Sequence, residues 1–388
     1  WTDIFDPFIY VASINPEQSA GPAYGYVAGG DATGGSGLST NQRIDFANDT
    51  SGTSQRGNFP TQVEMSGGAG NSSYGYTMGG YDGISWNGAS MVYRVDYAND
   101  NVTATTKGPL SAGRKYCNSV GNNNYGYTGS GYPSGPIMDR IDYANDTSTA
   151  TSLGNIFSPG DRGYATAGNQ SFGYFAGGGG NFPRVSTVSR LDYANDGVAT
   201  SPKGPLIGVL DNTVAGAGTG NVNFGYFQTN NGYQTTTQVS RVDYGNDTAT
   251  ALSKGPLTAN CYMRSATGNS SYGYFSGGYQ WPVFNINTID RIDYANDTAT
   301  ASPKGSLNPG VRRTVGFSAR EHGLPNSPSP KSVTPATQLE PPSQVGGPAY
   351  GYVAGGDYTQ QVSRIDYAND TATASPRGSL TSGRSRAG

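Results

Sequence analysis

The sequence predicts an all-β fold, a propeller of seven four-stranded blades closed into one ring. Three observations predict it. A heptad of the form Arg-Ile-Asp-Tyr-Ala-Asn-Asp, with Val or Leu sometimes second and Phe46 once in place of tyrosine, begins at Arg43, Arg94, Arg140, Arg190, Arg241, Arg291 and Arg364. The intervals between those starts are 51, 46, 50, 51, 50 and 73 residues, and a period near 50 is the mark of sheet blades arranged about an axis. An aromatic-Gly-Tyr triplet precedes every heptad, at Tyr24, Tyr74, Tyr125, Phe172, Phe224, Tyr272 and Tyr350.

Within the second unit each element has a local cause. Tyr74-Gly75-Tyr76-Thr77-Met78 alternates and ends at Gly79-Gly80, a strand followed by a turn. A loop of variable sequence follows from Tyr81 to Ser90, and then the Arg94 heptad. Alternation there sets Val95 and Tyr97 on one face, to pack between blades, and Arg94 and Asp96 on the other, to form a local ion pair. Asn99-Asp100 supplies turn chemistry. Thr103 to Thr106 is a β-branched strand, Gly108-Pro109-Leu110 ends the unit, and a further strand is expected near Arg114 to Val120.

These residues together resemble the kelch repeat: an arginine-led strand, an aromatic strand ending in Gly-Gly, and a threonine-rich strand before Pro-Leu. The likeness covers about residues 20 to 388, and the double glycine is its most specific part. The tryptophan that the family carries after its turn is replaced here by Thr, Ala or Ser, so tyrosines are expected to take over its packing. The near-identity of the units is also similar in style to propellers encoded by marine bacteriophages.

The chain ends in a half unit, residues 378–388, without its Tyr-Gly-Tyr strand. That C-terminal strand is expected to complete the first blade beside residues 24–30, which would leave no free sheet edge. One unit is irregular: Gly160 to Phe172 spans 12 positions, whereas Gly310 to Tyr350 spans 40. The excess, at about 318–345, is a Pro/Ser-rich insertion holding His322. Residues 1–14 match no repeat. They carry Trp1, Ile4, Phe5, Phe8, Ile9, Tyr10 and Val11, with Pro7 opposing a helix, and so read as an extended apolar segment. The organisation expected is therefore this segment followed by a single propeller over 15–388.

Composition narrows function. Charged residues make up 13% of the chain and the net charge is -3, which leaves no electrostatic footprint for nucleic acid. No run approaches the roughly 20 apolar residues of a membrane helix, so no membrane insertion is expected. Cys117 and Cys261 fall in the third and sixth units, too far apart in a ring for a disulfide, and read as small buried hydrophobes. His322 is the one histidine, so neither a histidine metal site nor a hydrolase triad is expected. The copper chemistry of galactose-oxidase-type propellers, which resemble kelch proteins, needs histidines that this chain lacks. No metal, no cofactor and no catalysis are accordingly expected. Fourteen of the 27 acidic residues belong to the heptads, and a feature present in every blade does structural work.

Contacts should come from the parts that do not repeat. The loops between the double glycine and the heptad share one face of a propeller, and their aromatics are Tyr81, Trp86, Tyr132, Phe182, Tyr233, Tyr279, Trp281 and Phe284. Such rings amid polar residues suit stacking on sugars or anchoring a protein. Two roles follow, both outside a cell or on a virion surface. In the first the protein is a self-assembling appendage or fibre subunit, its partners copies of itself joined through residues 1–14. In the second it is a propeller that binds a surface glycan or host receptor through the variable loops.

Overall fold

The computed structural model describes residues 23–319, apart from 33, 36, 156–163, 179–184, 209–215 and 230–235, and three strands between 350 and 384. Four-stranded antiparallel sheets are radially arranged, and among the described residues there are six of them. From the axis outward the first blade runs Val315–Ser318, Tyr24–Ala28, Asn41–Asp45 and Ser54–Arg56. The second runs Gly67–Gly70, Tyr74–Met78, Val92–Asp96 and Thr105–Thr106. The other four begin at the axis with Asn118–Gly121, Tyr164–Gly168, Gly218–Gly220 and Ser265–Gly268. Each of these inner strands touches the inner strand of the blade on either side, and the sixth touches the first, so the ring is closed.

The seven blades expected from counting heptads are thus six. The strand beside Tyr24–Ala28 is Val315–Ser318, with Gly25 opposite Ser318 and Ala28 opposite Val315. The C-terminal residues expected in that place belong to Ser375–Arg384, which pairs with Thr359–Asp366. With Tyr350–Ala354 these form a three-stranded sheet, and the chain divides into two compact units at Pro328 and Ser329. The insertion expected from about 318 therefore starts at the last residue of a ring strand. Residues 1–14 and His322 lie outside the described residues.

Six blades close because the sixth meets the first through the same chemistry that joins every other pair. The Tyr26 hydroxyl donates to Asp100 of the next blade at 2.8 Å, and Arg43 reaches the same oxygen at 2.9 Å. Tyr76 and Arg94 do so to Asp146, and Tyr127 and Arg140 to Asp196. Tyr174 and Arg190 hold Asp247, and Tyr226 and Arg241 hold Asp297. Tyr274 and Arg291 return to Asp49 in the first blade at 2.8 and 2.7 Å. Burial, together with the carboxylate beside it, raises each of these tyrosine hydroxyls far above the ordinary value, so they stay donors. The expected local pairing of Arg94 with Asp96 does not form. Asp96 accepts the Ala98 amide and starts the 3-10 turn Tyr97–Asn99, leaving Arg94 to the neighbouring blade.

Tyrosines pack between the blades, as expected. Tyr76 stacks on Tyr143 at 4.7 Å, Tyr174 on Tyr244 at 4.5 Å, and Tyr274 on Phe46 at 4.8 Å across the closing interface. Val95 and Tyr97 are buried there, as alternation predicts. Around the axis the backbones themselves touch. A side chain at Gly316 would meet the Ala266 carbonyl at 1.9 Å, and one at Gly68 would meet that of Gly316 at 2.3 Å. Cys117 and Cys261 are buried thiols with no disulfide, and burial pushes Cys261 up to about 11.

The third blade supplies a natural comparison. A fourth-strand lysine also reaches the carboxylate in other blades, as Lys107 does Asp146 at 3.0 Å, but Leu153 stands at that place in the third blade. Asp196 is then 16% exposed, against 7% for Asp49. Replacing Asp49 by alanine strands Tyr274 and Arg291 at the closing interface and is expected to cost roughly 3 kcal/mol. Asp196→Ala should cost clearly less, and urea denaturation of the two variants would check the order.

Candidate functional site

The variable loops gather into two aromatic groups. In the second blade Gly79 and Gly80, at φ 65 and 103°, turn the chain out of its strand. Tyr81 then pairs with Glu64 through two backbone hydrogen bonds of 2.7 and 3.2 Å. Asp82 accepts the Ser85 and Ile84 amides and the Ser85 hydroxyl, which fixes the loop that carries Trp86. Burial opposes its charge, but those donors hold its carboxyl below the usual value. In the third blade Lys115 and Tyr132 exchange backbone hydrogen bonds of 2.8 and 2.9 Å.

These two turns bring Tyr81, Trp86 and Tyr132 together around one cation. The Lys115 ammonium lies 4.4 Å from the Trp86 ring centroid, 5.7 Å from that of Tyr116, 5.9 Å from Tyr132 and 6.0 Å from Tyr81. Lys115 is buried, whereas Trp86 is 74% exposed. The ammonium is thus covered by rings whose outer faces meet solvent.

The second group sits on the sixth blade, where the hairpin Tyr279–Gln280 and Phe284–Asn285 presents Trp281 at its tip. Trp281 meets Phe284 edge-on at 5.5 Å and is 73% exposed. Tyr279 packs on Tyr262 at 5.2 Å and under the Arg312 guanidinium at 5.0 Å. Arg312 grips both oxygens of buried Asp31 at 2.9 to 3.0 Å. The structure therefore joins six of the eight expected contact residues into two clusters. Phe182 and Tyr233 lie outside the described residues.

A row of charges connects the clusters. Arg313 approaches Asp31 at 3.5 Å and Glu64 at 3.9 Å, and Glu64 adjoins Tyr81. Burial first, and the Asp31 charge second, push the Glu64 carboxyl up to about 7. Sequence reading missed Glu64, Lys115, Arg312 and Asp31. The first three hold equivalent places, just before the inner strand, where the repeat varies as freely as in the loops. Among the described residues no cluster of three His, Cys, Asp or Glu side chains could hold a metal. No helix of the described residues is long and apolar enough to cross a membrane.

Glu64 gives the face a pH signature. A carboxyl whose folded value of about 7 lies above its unfolded value of 4.5 contributes stability below pH 4.5 and loses it as pH rises through 7. Glu64→Gln should flatten the fall in thermal stability between those limits. Asp297, held low against the burial penalty by Lys254, Tyr226 and Arg241, acts below its usual range and leaves that window untouched.

No family model matches the chain, and no curated protein matches it. Among solved structures it is similar to one described as the structure of YjhT, at 12% identity and a TM-score of 0.56, over 74% of this chain and 99% of that one. It also matches a fungal alcohol oxidase in complex with copper, at 13% identity and a TM-score of 0.47, over 74% of this chain and 66% of that one. The expectation of a chain without catalysis is withdrawn on these comparisons. The fold that the likeness to YjhT shows hosts catalytic and non-catalytic proteins alike, and chemistry on such a scaffold resides in loops that the repeats do not reveal. What the likeness to YjhT establishes is the fold, a β-propeller of four-stranded blades.

Proposed function

We propose that this chain is a self-assembling structural propeller of a virion or cell-surface appendage, in which the seventh, kelch-like repeat of one copy joins the ring of the next. The observation that carries the reading is a complete ring that leaves one repeat over. Residues 347–357 repeat residues 21–31 without a change, and Tyr352, Arg364 and Asp370 stand where Tyr26, Arg43 and Asp49 stand. Val315–Ser318 pairs with Tyr24–Ala28, and Tyr350–Ala354 has the same five residues. Among the described residues Tyr350–Ala354 has a partner on one side only, Thr359–Asp366.

An edge strand of that kind is a template for strand addition from another chain, and exchange of an identical element is a low-cost route to assembly. In the exchange Asp370 of one copy takes the place of Asp49 between Tyr274 and Arg291 of another. The apolar residues Trp1, Ile4, Phe5, Phe8, Ile9, Tyr10 and Val11, next to the blade so displaced, supply a second contact between copies. Light scattering and negative-stain microscopy of the full chain should show assemblies that Asp370→Ala reduces to monomers, since that change leaves the ring of residues 23–319 unaltered. An Asp370→Ala protein that assembles like its parent would sink the reading.

A second reading has its own support, the exposed rings of Trp86 and Trp281 on the two clusters. The loop face then binds a surface glycan or host receptor by stacking, with Lys115 and Arg312 setting the orientation of the rings. Trp86→Ala and Trp281→Ala should each weaken binding on a glycan array about tenfold. Unchanged binding by both variants would remove the loop face from consideration.

A further inference from the structure

We propose that the propeller axis holds a small inorganic anion of halide size, bound between the second, third and sixth blades. The inner strands border a partly open polar cavity of about 40 Å³, lined by Ser66, Asn118, Ser119, Thr166, Arg264 and Thr314 among others. Arg264 is 1% exposed, Ser119 1%, Ser66 4% and Asn118 6%. Four of their polar atoms have no partner: Arg264 Nη2, Asn118 Nδ2, Ser66 Oγ and Ser119 Oγ. Leaving a buried donor unpaired is costly, and four such groups around one cavity ask for a shared acceptor.

The chemistry of the four decides what that acceptor is. Arg264 Nη2 and Asn118 Nδ2 only donate, and the two serine hydroxyls can turn to donate as well. No carboxylate lines the cavity. Asp290, which neutralises Arg264 at 3.0 Å, is already engaged by the Thr258 amide and hydroxyl and by the Ala259 amide. The Arg264 Nε is likewise committed, to the Gly277 carbonyl at 2.9 Å. Its remaining nitrogen brings positive potential to the axis with nothing negative opposite.

Arg114 in the third blade shows the contrast. It pairs with Asp139 and spends its other nitrogens on the Ile137 and Ala112 carbonyls, so it keeps no unpartnered donor. The volume suits one halide or about three waters, and an array made of donors favours the ion, which accepts from all sides. Bound there, the anion ties Arg264 to Ser66, Asn118 and Ser119 across the axis and resists splaying of the blades.

Crystals grown in sodium bromide should show an anomalous peak within hydrogen-bond distance of Arg264 Nη2. Thermal unfolding of the full chain should shift upward with chloride in a saturating manner, and not with gluconate at equal ionic strength. Ser119→Ala should weaken the chloride dependence about tenfold while leaving the fold intact. Arg264→Met should abolish it, and if that protein does not fold, the serine variant together with Ser66→Ala still decides. Ordered waters with no bromide peak, or unfolding curves that superimpose in chloride and gluconate, would overturn the proposal.

Discussion

The structure depends on one carboxylate placed between two blades. Each of the six aspartates that close the heptads of the ring accepts a tyrosine hydroxyl and an arginine from the preceding blade, and five of them are buried deeply enough that losing either partner strands a charge. In the second blade the 3-10 turn Tyr97–Asn99 just before Asp100 is capped by the heptad's other aspartate, Asp96, which accepts the Ala98 amide. Local chain reversal and blade-to-blade attachment therefore rest on two aspartates of one heptad, Asp96 and Asp100. The aromatic stacks beside them supply area, while the directional bonds set the rotational position of one blade against the next.

Much of this was legible because the repeat is so regular. Four strands per blade, the buried Val95 and Tyr97, and two unpaired thiols all follow from period and alternation. The number of blades did not, because the chain carries more repeats than the ring uses. Asp49 and Asp370 sit in the same motif, and Tyr24–Ala28 and Tyr350–Ala354 are the same five residues. No local rule tells which copy Tyr274 and Arg291 will meet. The partner of Arg94 was hidden for a related reason: Asp96 is near in sequence, but its side chain is already used by the Ala98 amide.

The candidate surfaces divide in the same way. The exposed tryptophans stood out as departures from the repeat, yet the charges beneath them did not. Lys115, Arg312 and Glu64 occupy a turn before the inner strand that periodicity treats as a connection. The cation beneath Trp86 and the carboxylate row between the clusters arise when distant loops are folded onto one face, through contacts such as Asp31 with Arg312 that span most of the chain. Arg264 was hidden more completely. Its place is equivalent to that of Cys117 in the third blade, whereas Arg114 there corresponds to Cys261. The two blades bury an arginine and a cysteine in opposite order, yet in each the arginine meets the aspartate at the equivalent place, Asp139 at 2.9 Å and Asp290 at 3.0 Å.

The closing contact also bears on how the chain is threaded. Because Asp49 meets Tyr274 and Arg291 as every other aspartate meets its pair, the ring has no seam in its chemistry, only a break in the backbone. Gly25 and Ser318 lie opposite each other across that break. Residues 23 and 319 could be joined by a short linker and new ends opened in any turn between other blades. Such a circular permutant would keep all six interfaces, and the order of blades along the chain would become a matter of synthesis rather than of stability.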